Sequence, residues 1–169
     1  MKKLIIGLLV VGLLLVGCSP VYSPPENTPP ANGETTILPG EPPIDRTWIS
    51  PGKVQVGNFH PGARAEWNLL VHNGKDTAAS FLVTYRYPNY VEEGYNFPTA
   101  EVQDWVIIAD PTPVLAPKET RAISIVLEMP EDATAPGKLW EFWISVKDTT
   151  QTGMVVTELC SRWCVSQRN

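Results

Sequence analysis

The sequence predicts an all-β fold, an immunoglobulin-like β-sandwich of about seven strands, for residues 47–169. Three observations lead to this prediction. Short runs rich in Val, Ile, Thr and aromatic residues alternate apolar and polar positions with a period of two, as half-buried strands do. Pro-Gly and Asn-Gly pairs separate these runs, at points where a tight turn needs a fixed or positive φ. No stretch of this region shows a convincing helical period.

The clearest strands are four segments in which every second side chain is apolar. They cover residues 65–73, 80–87, 121–129 and 139–147. In the last of these, the apolar face carries Trp140, Phe142, Ile144 and Val146, and the other face carries Glu141, Trp143, Ser145 and Lys147. Three weaker segments, 53–57, 102–109 and 154–165, complete the expected seven. Trp105, in the second of these, is expected in the core.

The N-terminus has three blocks of different character. Met1-Lys2-Lys3 is positively charged, Leu4–Val16 contains only Leu, Ile, Val and Gly, and Gly17-Cys18 follows. The apolar block is shorter than the about 20 residues that a membrane-spanning helix needs. Its length is typical of the apolar region of a secretory signal peptide. An ordinary signal peptide with an incidental cysteine and an uncleaved anchor are the alternatives.

The sequence Leu15-Val16-Gly17-Cys18 resembles the lipobox of bacterial lipoproteins, in which the cysteine thiol takes a diacylglycerol before cleavage. The resemblance implies a signal peptide over residues 1–17 and a Cys18 that carries palmitate-type acyl chains. Such proteins carry two or three chains, and more than one chain is needed for stable anchoring. The expected location is therefore the bacterial cell envelope, with the chain exported and held to a membrane by lipid on Cys18.

The composition of the mature chain is acidic. Without Lys2 and Lys3 the basic residues fall from 13 to 11, against 18 acidic residues, so the net charge is about −7. This balance argues against nucleic acid as a partner and against direct binding to anionic lipid headgroups. The lipid on Cys18, rather than a basic patch, is expected to make the membrane contact.

The segment that follows Cys18 is rich in proline. Prolines occur at 20, 24, 25, 29, 30, 39, 42 and 43, with Ser, Thr, Asn, Gly and Glu between them. Because proline lacks the amide hydrogen that helices and central strands need, residues 18–46 are predicted to be a disordered, partly polyproline-II tether. The tether would reach about 30 Å as a coil and about 85 Å if extended. A proline-rich recognition motif is the alternative.

The order of turns in the following domain resembles that of a known group of domains. The residues that carry the resemblance are Ile49-Ser50-Pro51-Gly52, Phe59-His60-Pro61-Gly62, a strand ending in Asn73, Asp104-Trp105-Val106, Leu115-Ala116-Pro117-Lys118-Glu119, Met129-Pro130-Glu131-Asp132-Ala133 and Pro136-Gly137. They look like the bacterial surface domain of the WxL-interacting proteins, which binds peptidoglycan, and like the accessory domain of some α-galactosidases. The resemblance spans about residues 48–146 and implies an immunoglobulin-like fold. Fold analogy alone assigns no ligand.

No residue set in the sequence predicts catalysis, a metal site or a cofactor. His60 lies in a turn and His72 on the polar face of a strand, and neither has a partner at metal-ligand spacing. The acids that could form a catalytic pair are Glu92, Glu93, Glu101, Asp104 and Asp110, but no pairing can be derived from their spacing. The chain is therefore not expected to be an enzyme; a hydrolase is the least favoured alternative.

The most distinctive loop covers residues 88–100, which is long for a connection in a sandwich. Its candidate ligand-binding residues are Tyr90, Glu92, Glu93, Tyr95 and Phe97. Aromatic rings interleaved with acids and amides suit a sugar face or a protein interface. The alternative is that these aromatic residues fold back and cap one end of the core. Trp143 joins the candidates as an exposed aromatic surface, unless its face of the sheet is covered.

Two cysteines remain after Cys18 is acylated, Cys160 and Cys164. An exported protein favours a disulfide between them. On a regular strand, residues four apart are about 13 Å apart, whereas a disulfide needs Cα atoms within about 7 Å. The predicted disulfide therefore requires a bend at residues 161–163. Free thiols and a link to a partner are the alternatives.

These features together predict a membrane-anchored surface lipoprotein with a non-catalytic binding or spacer module. The expected partner is a cell-wall glycan or an envelope protein. The alternative is a structural subunit of an envelope complex that uses an edge strand as its contact.

Overall fold

The computed structural model describes residues 43–151 and 156–167. The predicted signal peptide, Cys18 and the tether up to residue 42 lie outside the described residues. Among the helices of the described part, none is long and apolar enough to cross a membrane.

Two β-sheets pack face to face and confirm the predicted all-β sandwich. The elements are β1 Trp48–Ser50, β2 Lys53–Val56, β3 Arg64–His72, β4 Ala79–Arg86, a 3-10 helix Ala100–Trp105, β5 Val106–Ile108, β6 Val114–Leu115, β7 Thr120–Glu128, β8 Leu139–Asp148 and β9 Glu158–Ser166. Sheet 1 has the order β1-β3-β7-β5 and sheet 2 the order β2-β9-β8-β4-β6. All neighbours are antiparallel except β2 and β9, which run parallel.

The core lies between the sheets and follows the predicted alternation. Phe81 and Val83 of β4, and Ile123, Ile125 and Leu127 of β7, are all buried. Aromatic rings fill the centre, where the Trp140 ring contacts the rings of Phe59, Trp105 and Phe142 with centroids 5.8–6.5 Å apart. The predicted core position of Trp105 is therefore confirmed. Trp67 differs, because it lies on the inward face of β3 yet is 46% exposed.

The predicted strand over residues 102–109 is only partly correct. Its first half is the 3-10 helix, and only Val106–Ile108 forms a strand. Val102 and Trp105 are the buried residues of this helix. Their spacing of three places both side chains on one side of a 3-10 helix, which has three residues per turn. A pattern read with a period of two therefore missed the helix.

The chain enters the sandwich at the end where β3 finishes and β4 begins. Here His72 Nε2 lies 3.0 Å from the Ile44 carbonyl oxygen, and the Gly74 amide donates to Thr47 Oγ1 at 3.2 Å. A Cβ on Gly74 would lie 2.1 Å from the Arg46 backbone, so only glycine allows this close approach. We call this end the entry pole. The opposite end, where β4 finishes and β8 begins, is the far pole.

The two histidines have different environments. His60 is exposed in its turn, as predicted. His72, which was expected to face solvent, is buried because the entering chain covers it: its Nδ1 pairs with Thr120 Oγ1 at 2.9 Å and its ring stacks on Trp48 at 5.0 Å.

Candidate functional site

The loop after β4 crosses the outer face of sheet 2 and returns to its edge. Beyond Arg86, where β4 stops pairing with β8, Asn96 takes the place beside Trp140 in a parallel bridge. The Asn96 amide donates to the Leu139 carbonyl at 2.9 Å, and the Glu141 amide donates to the Asn96 carbonyl at 3.1 Å. The residues between these two points, 87–95, are thereby held against β8 and β9.

A buried ion pair lies beneath this loop. Glu141, on the outer face of β8, is fully buried and lies diagonally across from Arg162 of β9. Arg162 Nε donates to Glu141 Oε1 at 2.7 Å and Arg162 Nη2 donates to Oε2 at 2.8 Å, a bidentate pairing. Trp143 Nε1 donates to Oε1 at 2.6 Å and the Glu92 amide donates to Oε2 at 3.0 Å. Both carboxylate oxygens are therefore saturated with N–H donors.

The hydrogen bonds of this pair shift its titration. Burial raises the pKa of Glu141, but the donors from Arg162, the Glu92 amide and Trp143 outweigh that effect and hold the pKa below its ordinary value. The same hydrogen bond with Glu141 raises the pKa of Arg162. The pair is thus charged on both sides at neutral pH and fastens the loop to the sheet.

A second ion pair closes the loop at its rim. Lys53 Nζ lies 2.5 Å from Glu92 Oε2, and Arg162 Nη2 lies 3.6 Å from the same oxygen. The hydrogen bond to Glu92 raises the pKa of Lys53. Two carboxylates and two cations therefore meet in one group of four residues whose net charge is zero. We call Lys53, Glu92, Glu141 and Arg162 the latch.

The latch residues come close to a metal-ligand arrangement but already have other partners. One oxygen each from Glu92 and Glu141 and the sulfur of Cys164 lie within 4.8 Å of one another. The carboxylates are engaged by Arg162 and Lys53, and burial raises the pKa of the Cys164 thiol, so that it stays protonated. A cation would have to displace two side-chain cations. The geometry is that of an ion-pair network.

Three aromatic side chains remain accessible on the solvent side of this region. Tyr90 is 59% exposed, Tyr87 52% and Phe97 45%. The Tyr87 and Phe97 rings stack with centroids 5.8 Å apart and an interplanar angle of 8°. The Tyr90 ring meets Trp143 edge-on at 5.0 Å and carries the Arg162 guanidinium 5.8 Å from its centroid. We call Tyr87, Tyr90 and Phe97 the aromatic surface.

The predicted site residues thus divide into two groups. Tyr90, Phe97 and Glu93 are exposed, whereas Glu92 belongs to the latch and Tyr95 is partly buried beside it. Burial is the main cause that raises the pKa of Tyr95. Trp143 is buried, so the exposed surface considered for it is absent; the loop covers its face of β8. The loop therefore both caps the sheet and presents aromatic rings. Ligand binding by any of these residues stays a prediction.

The latch partners Glu141, Arg162 and Lys53 were not predicted as site residues. The sequence did contain one indication of a buried charge. Glu141 stands between Trp140 and Phe142, and the residues on either side of these two are also apolar. A buried acid in such a strand requires a basic partner. Which base it pairs with depends on the register of β8 and β9, where Arg162 lies directly opposite Trp143 and diagonal to Glu141.

The structure differs from the predicted disulfide. Cys160 and Cys164 are both free. They lie in β9, which pairs without interruption with β8, so that Cys160 faces Ser145 and Cys164 faces Glu141. The bend at residues 161–163 that the disulfide requires is absent, because these residues are held in the sheet on both sides by β8 and β2.

Solved structures share this fold. The PapD-like domain 7 of human CEP192 is similar with a TM-score of 0.54 and 14% identity, covering 83% of this chain and 98% of that one. The periplasmic chaperone SfaE gives 0.51 and 10%, covering 73% and 58%. A Bacteroides ovatus protein to which carbohydrate binding has been ascribed gives 0.55 and 13%, covering 72% and 37%. This chain thus spans little more than half of the SfaE chain and about a third of the Bacteroides chain.

These similarities define the class of the domain. The domain is an immunoglobulin-like β-sandwich, and the solved structures that share its fold include a PapD-like domain, a periplasmic chaperone and a protein described as carbohydrate-binding. At these identities the likeness extends to the fold alone. No protein-family model and no curated protein matches the sequence. The finer resemblance to WxL-interacting proteins and α-galactosidase accessory domains stays a prediction.

Proposed function

We propose that this chain is a bacterial envelope lipoprotein, acylated on Cys18, whose non-catalytic immunoglobulin-like domain binds a cell-wall glycan through the aromatic surface. The lipobox-like Leu15-Val16-Gly17-Cys18 supports the anchor, and the proline-rich stretch after it supports a spacer. The observation that carries the binding role is the exposure of Tyr87, Tyr90 and Phe97 on a loop that buried charges hold in place.

The position of the aromatic surface supports this role. The chain enters at the entry pole, where Ile44 and Thr47 contact His72 and Gly74. β4 runs from Ala79 at that pole to Arg86, and Tyr87 follows directly. Two of the three aromatic rings, Tyr87 and Phe97, therefore lie at the far pole. A domain tethered through its N-terminus would present them away from the membrane, towards the cell wall.

The chemistry of the aromatic surface suits sugars. Aromatic rings offer an apolar face that packs on the C–H groups of a pyranose, and their rigidity keeps the entropy cost of binding low. Asn89 and Glu93, which are exposed in the same loop as Tyr90, provide groups that hydrogen-bond to hydroxyls. Because the latch fixes the loop before a ligand arrives, little ordering is required on binding.

The environment of the carboxylates beneath the loop supports a binding role over hydrolysis at this site. Glu92 and Glu141 are paired with Lys53 and Arg162. The lowered pKa of Glu141 makes it a poor proton donor at neutral pH. Glycoside hydrolysis needs one carboxyl group that stays protonated, and the latch provides the opposite environment.

A sedimentation assay with purified peptidoglycan tests the binding role. The protein is expressed with residues 1–169, purified in detergent and mixed with peptidoglycan sacculi. We expect the wild type to sediment with the sacculi and a Tyr90→Ala, Phe97→Ala double variant to stay in solution. Trp67→Ala, which removes a ring of similar exposure from sheet 1, serves as the matched control and should sediment normally. Equal sedimentation of wild type and double variant would remove the aromatic surface from the proposal.

The same assay separates the alternative partner class. One outcome would indicate that the aromatic surface binds protein instead. Sacculi would then retain neither the wild type nor the variants, and a defined envelope protein would co-purify with the wild type but not with the double variant.

The anchor has an independent test. Cells that express the wild type or Cys18→Ser are labelled with an alkyne analogue of palmitate and fractionated. We expect label and membrane association for the wild type and neither for the variant. Cys160→Ser is the control and should be labelled like the wild type. Label on Cys18→Ser would contradict the anchor and leave the aromatic surface untouched.

A further inference from the structure

An open groove lies at the far pole, where the 3-10 helix and β5 meet the end of β7. Its volume is about 480 Å³. The apolar side chains that line it are those of Trp105, Ile107 and Met129, and the acids that line it are Asp104, Glu128 and Glu131. Trp105 and Met129 are buried and form its floor, whereas the three acids are exposed. We call it the acidic groove.

The backbone beneath the acidic groove is fixed by hydrogen bonds. The Gly62 amide donates to the Met129 carbonyl at 2.9 Å, and the Met129 amide donates to the Ala63 carbonyl at 3.0 Å. Gly62 has a φ of +78°, and a Cβ at this position would lie 3.3 Å from Glu131 Cγ. A glycine in the turn therefore leaves room for Glu131 against the groove.

The acids of the groove have little compensating charge. Among residues 43–151 and 156–167, Asp104 and Glu131 form no ion pair, and Glu128 has only Arg64, whose Nε lies 4.0 Å from Glu128 Oε2. Arg64 is engaged more closely by Glu66, at 2.8 Å. Uncompensated carboxylates beside an apolar floor favour a ligand that carries both a cation and apolar surface.

The far pole as a whole is negative. Its connections, 57–63, 87–105 and 129–138, carry six acids and one lysine, a net charge of −5. The connections at the entry pole, 43–47, 73–78, 116–119 and 149–151, carry three acids and three bases. Of the six far-pole acids, only Glu92 forms an ion pair within the described part of the chain. The far pole therefore attracts cationic molecules and repels anionic ones.

The acidic groove and the aromatic surface are neighbours at this pole. Phe97 precedes the 3-10 helix by three residues, and Asp104 lies near the end of that helix. With about 2 Å per helical residue and about 3.5 Å per extended one, at most about 20 Å separates their Cα atoms. The segment 130–137 also joins the two, because Glu131 lines the groove and Gly137 lies against Asn96. One polymer chain can therefore reach both.

We propose that the glycan bound at the far pole carries free amino groups, as a glucosamine polymer does. The acidic groove holds the ammonium groups while the aromatic surface stacks on neighbouring sugar rings. This inference rests on the proposed function and deepens it, because it names the class of glycan that the far pole selects.

A glucosamine unit matches both parts of the acidic groove. Its protonated amino group donates charge-assisted hydrogen bonds to carboxylates, and these are stronger than hydrogen bonds between neutral groups. The C–H face of its ring packs on the apolar floor. An N-acetylated unit is uncharged and offers the acids a single amide N–H in place of the ammonium. A polymer that carries phosphate groups is repelled by the same acids.

Two defined tetrasaccharides, the glucosamine tetramer and the N-acetylglucosamine tetramer, test this proposal. The full chain is purified in an uncharged detergent and titrated with each by calorimetry at about pH 6, where amino groups are protonated. We expect the wild type to bind the glucosamine tetramer about tenfold more tightly, and added salt to reduce this preference. The preference should fall to about twofold or less in an Asp104→Asn, Glu131→Gln double variant, which loses two rim charges.

A matched control separates the groove from the general charge of the pole. Glu101→Gln, Asp132→Asn removes two exposed acids of the same pole that do not line the groove, and it should keep the preference. Tyr90→Ala, Phe97→Ala should weaken the binding of both tetramers alike, because the aromatic surface contacts sugar rings whether or not they carry an acetyl group.

Three results would overturn the inference and leave the proposed function standing. They are equal affinity of the wild type for the two tetramers, a preference that survives in the groove variant or is lost to the same extent in the control variant, and retention by sacculi without binding of either tetramer. If the wild type binds neither the tetramers nor the sacculi, the proposed function fails and this inference fails with it.

Discussion

Replacing Arg162 by methionine removes the guanidinium of the latch and leaves the Glu141 carboxylate buried. Breaking one side of a buried ion pair costs about 3–5 kcal/mol, mostly because the remaining charge is desolvated without compensation. Two donors to Glu141 remain, the Trp143 indole and the Glu92 amide, and the Arg162 side chain is 28% exposed, so water can enter near it. The lower end of the range applies, and we expect a loss of about 3 kcal/mol in the free energy of unfolding.

Urea unfolding at pH 7 measures this loss. The midpoint should fall while the m-value stays the same, because the surface exposed on unfolding is unchanged. Arg64→Met is the matched control. It breaks the ion pair between Arg64 and Glu66, two side chains that are each about half-exposed, and should leave the midpoint nearly unchanged. If Arg162→Met shifts the midpoint no more than Arg64→Met does, the latch does not fasten the loop and the reasoning fails.

The remaining predictions concern pH, backbone space and thiols. Because the pKa of Glu141 is lowered in the folded state, its contribution to stability is present above the ordinary value of about 4.3 and is lost as the pH falls. In Arg162→Met the strongest of the donors that offset burial is gone, so the pKa of Glu141 is higher than in the wild type; the urea midpoints of the two proteins should therefore converge as the pH falls from 7 to 4, and a constant gap would contradict this. Gly137→Ala places a Cβ 2.4 Å from Asn96 Nδ2 at a φ of +144°, so it should destabilise the domain by about 1–3 kcal/mol in the same assay, whereas Gly52→Ala meets no atom within 4 Å. Because Cys160 and Cys164 are free thiols, both should react with an alkylating reagent in urea without reductant, which mass spectrometry can detect. If neither is alkylated, the two cysteines form a disulfide after all.

Local pattern was sufficient for most of the sandwich. Period-two alternation identified the β3, β4, β7 and β8 segments and the side chains that face the core, because burial on one face imposes that period directly. The same rule left β8 ambiguous. Trp143 lies on its polar face by sequence, and it is buried only because a loop from another part of the chain covers it.

The latch was beyond what local pattern can show. Glu141 and Arg162 are 21 residues apart, and Lys53 and Glu92 are 39 apart. Their meeting depends on the register between β8 and β9, on the parallel pairing of β2, and on the return of the loop at Asn96. None of these follows from composition or spacing. The loop could be identified as unusual from its aromatic and acidic residues, but its division into a fastened side and an exposed side required the structure.

The predicted disulfide shows the same limit. Export and an even number of remaining cysteines favoured a bond, and the distance along a strand opposed it. In the structure the two cysteines stay apart along a regular strand. β9 is paired on both sides at Arg162, which leaves no room for a bend. Arg162 in turn is the residue that the latch needs in a regular strand. The two thiols therefore flank a residue with a structural role.

Isothermal titration of the detergent-purified protein with soluble peptidoglycan fragments tests the central claim most directly. We predict saturable binding to the wild type, and a loss of about tenfold in affinity for each of Tyr90→Ala and Phe97→Ala, which corresponds to about 1.4 kcal/mol per ring. Trp67→Ala should bind like the wild type. Absence of binding to the wild type, or equal affinity of the wild type and the two loop variants at equal folded fraction, would contradict the assignment of the aromatic surface as a glycan site.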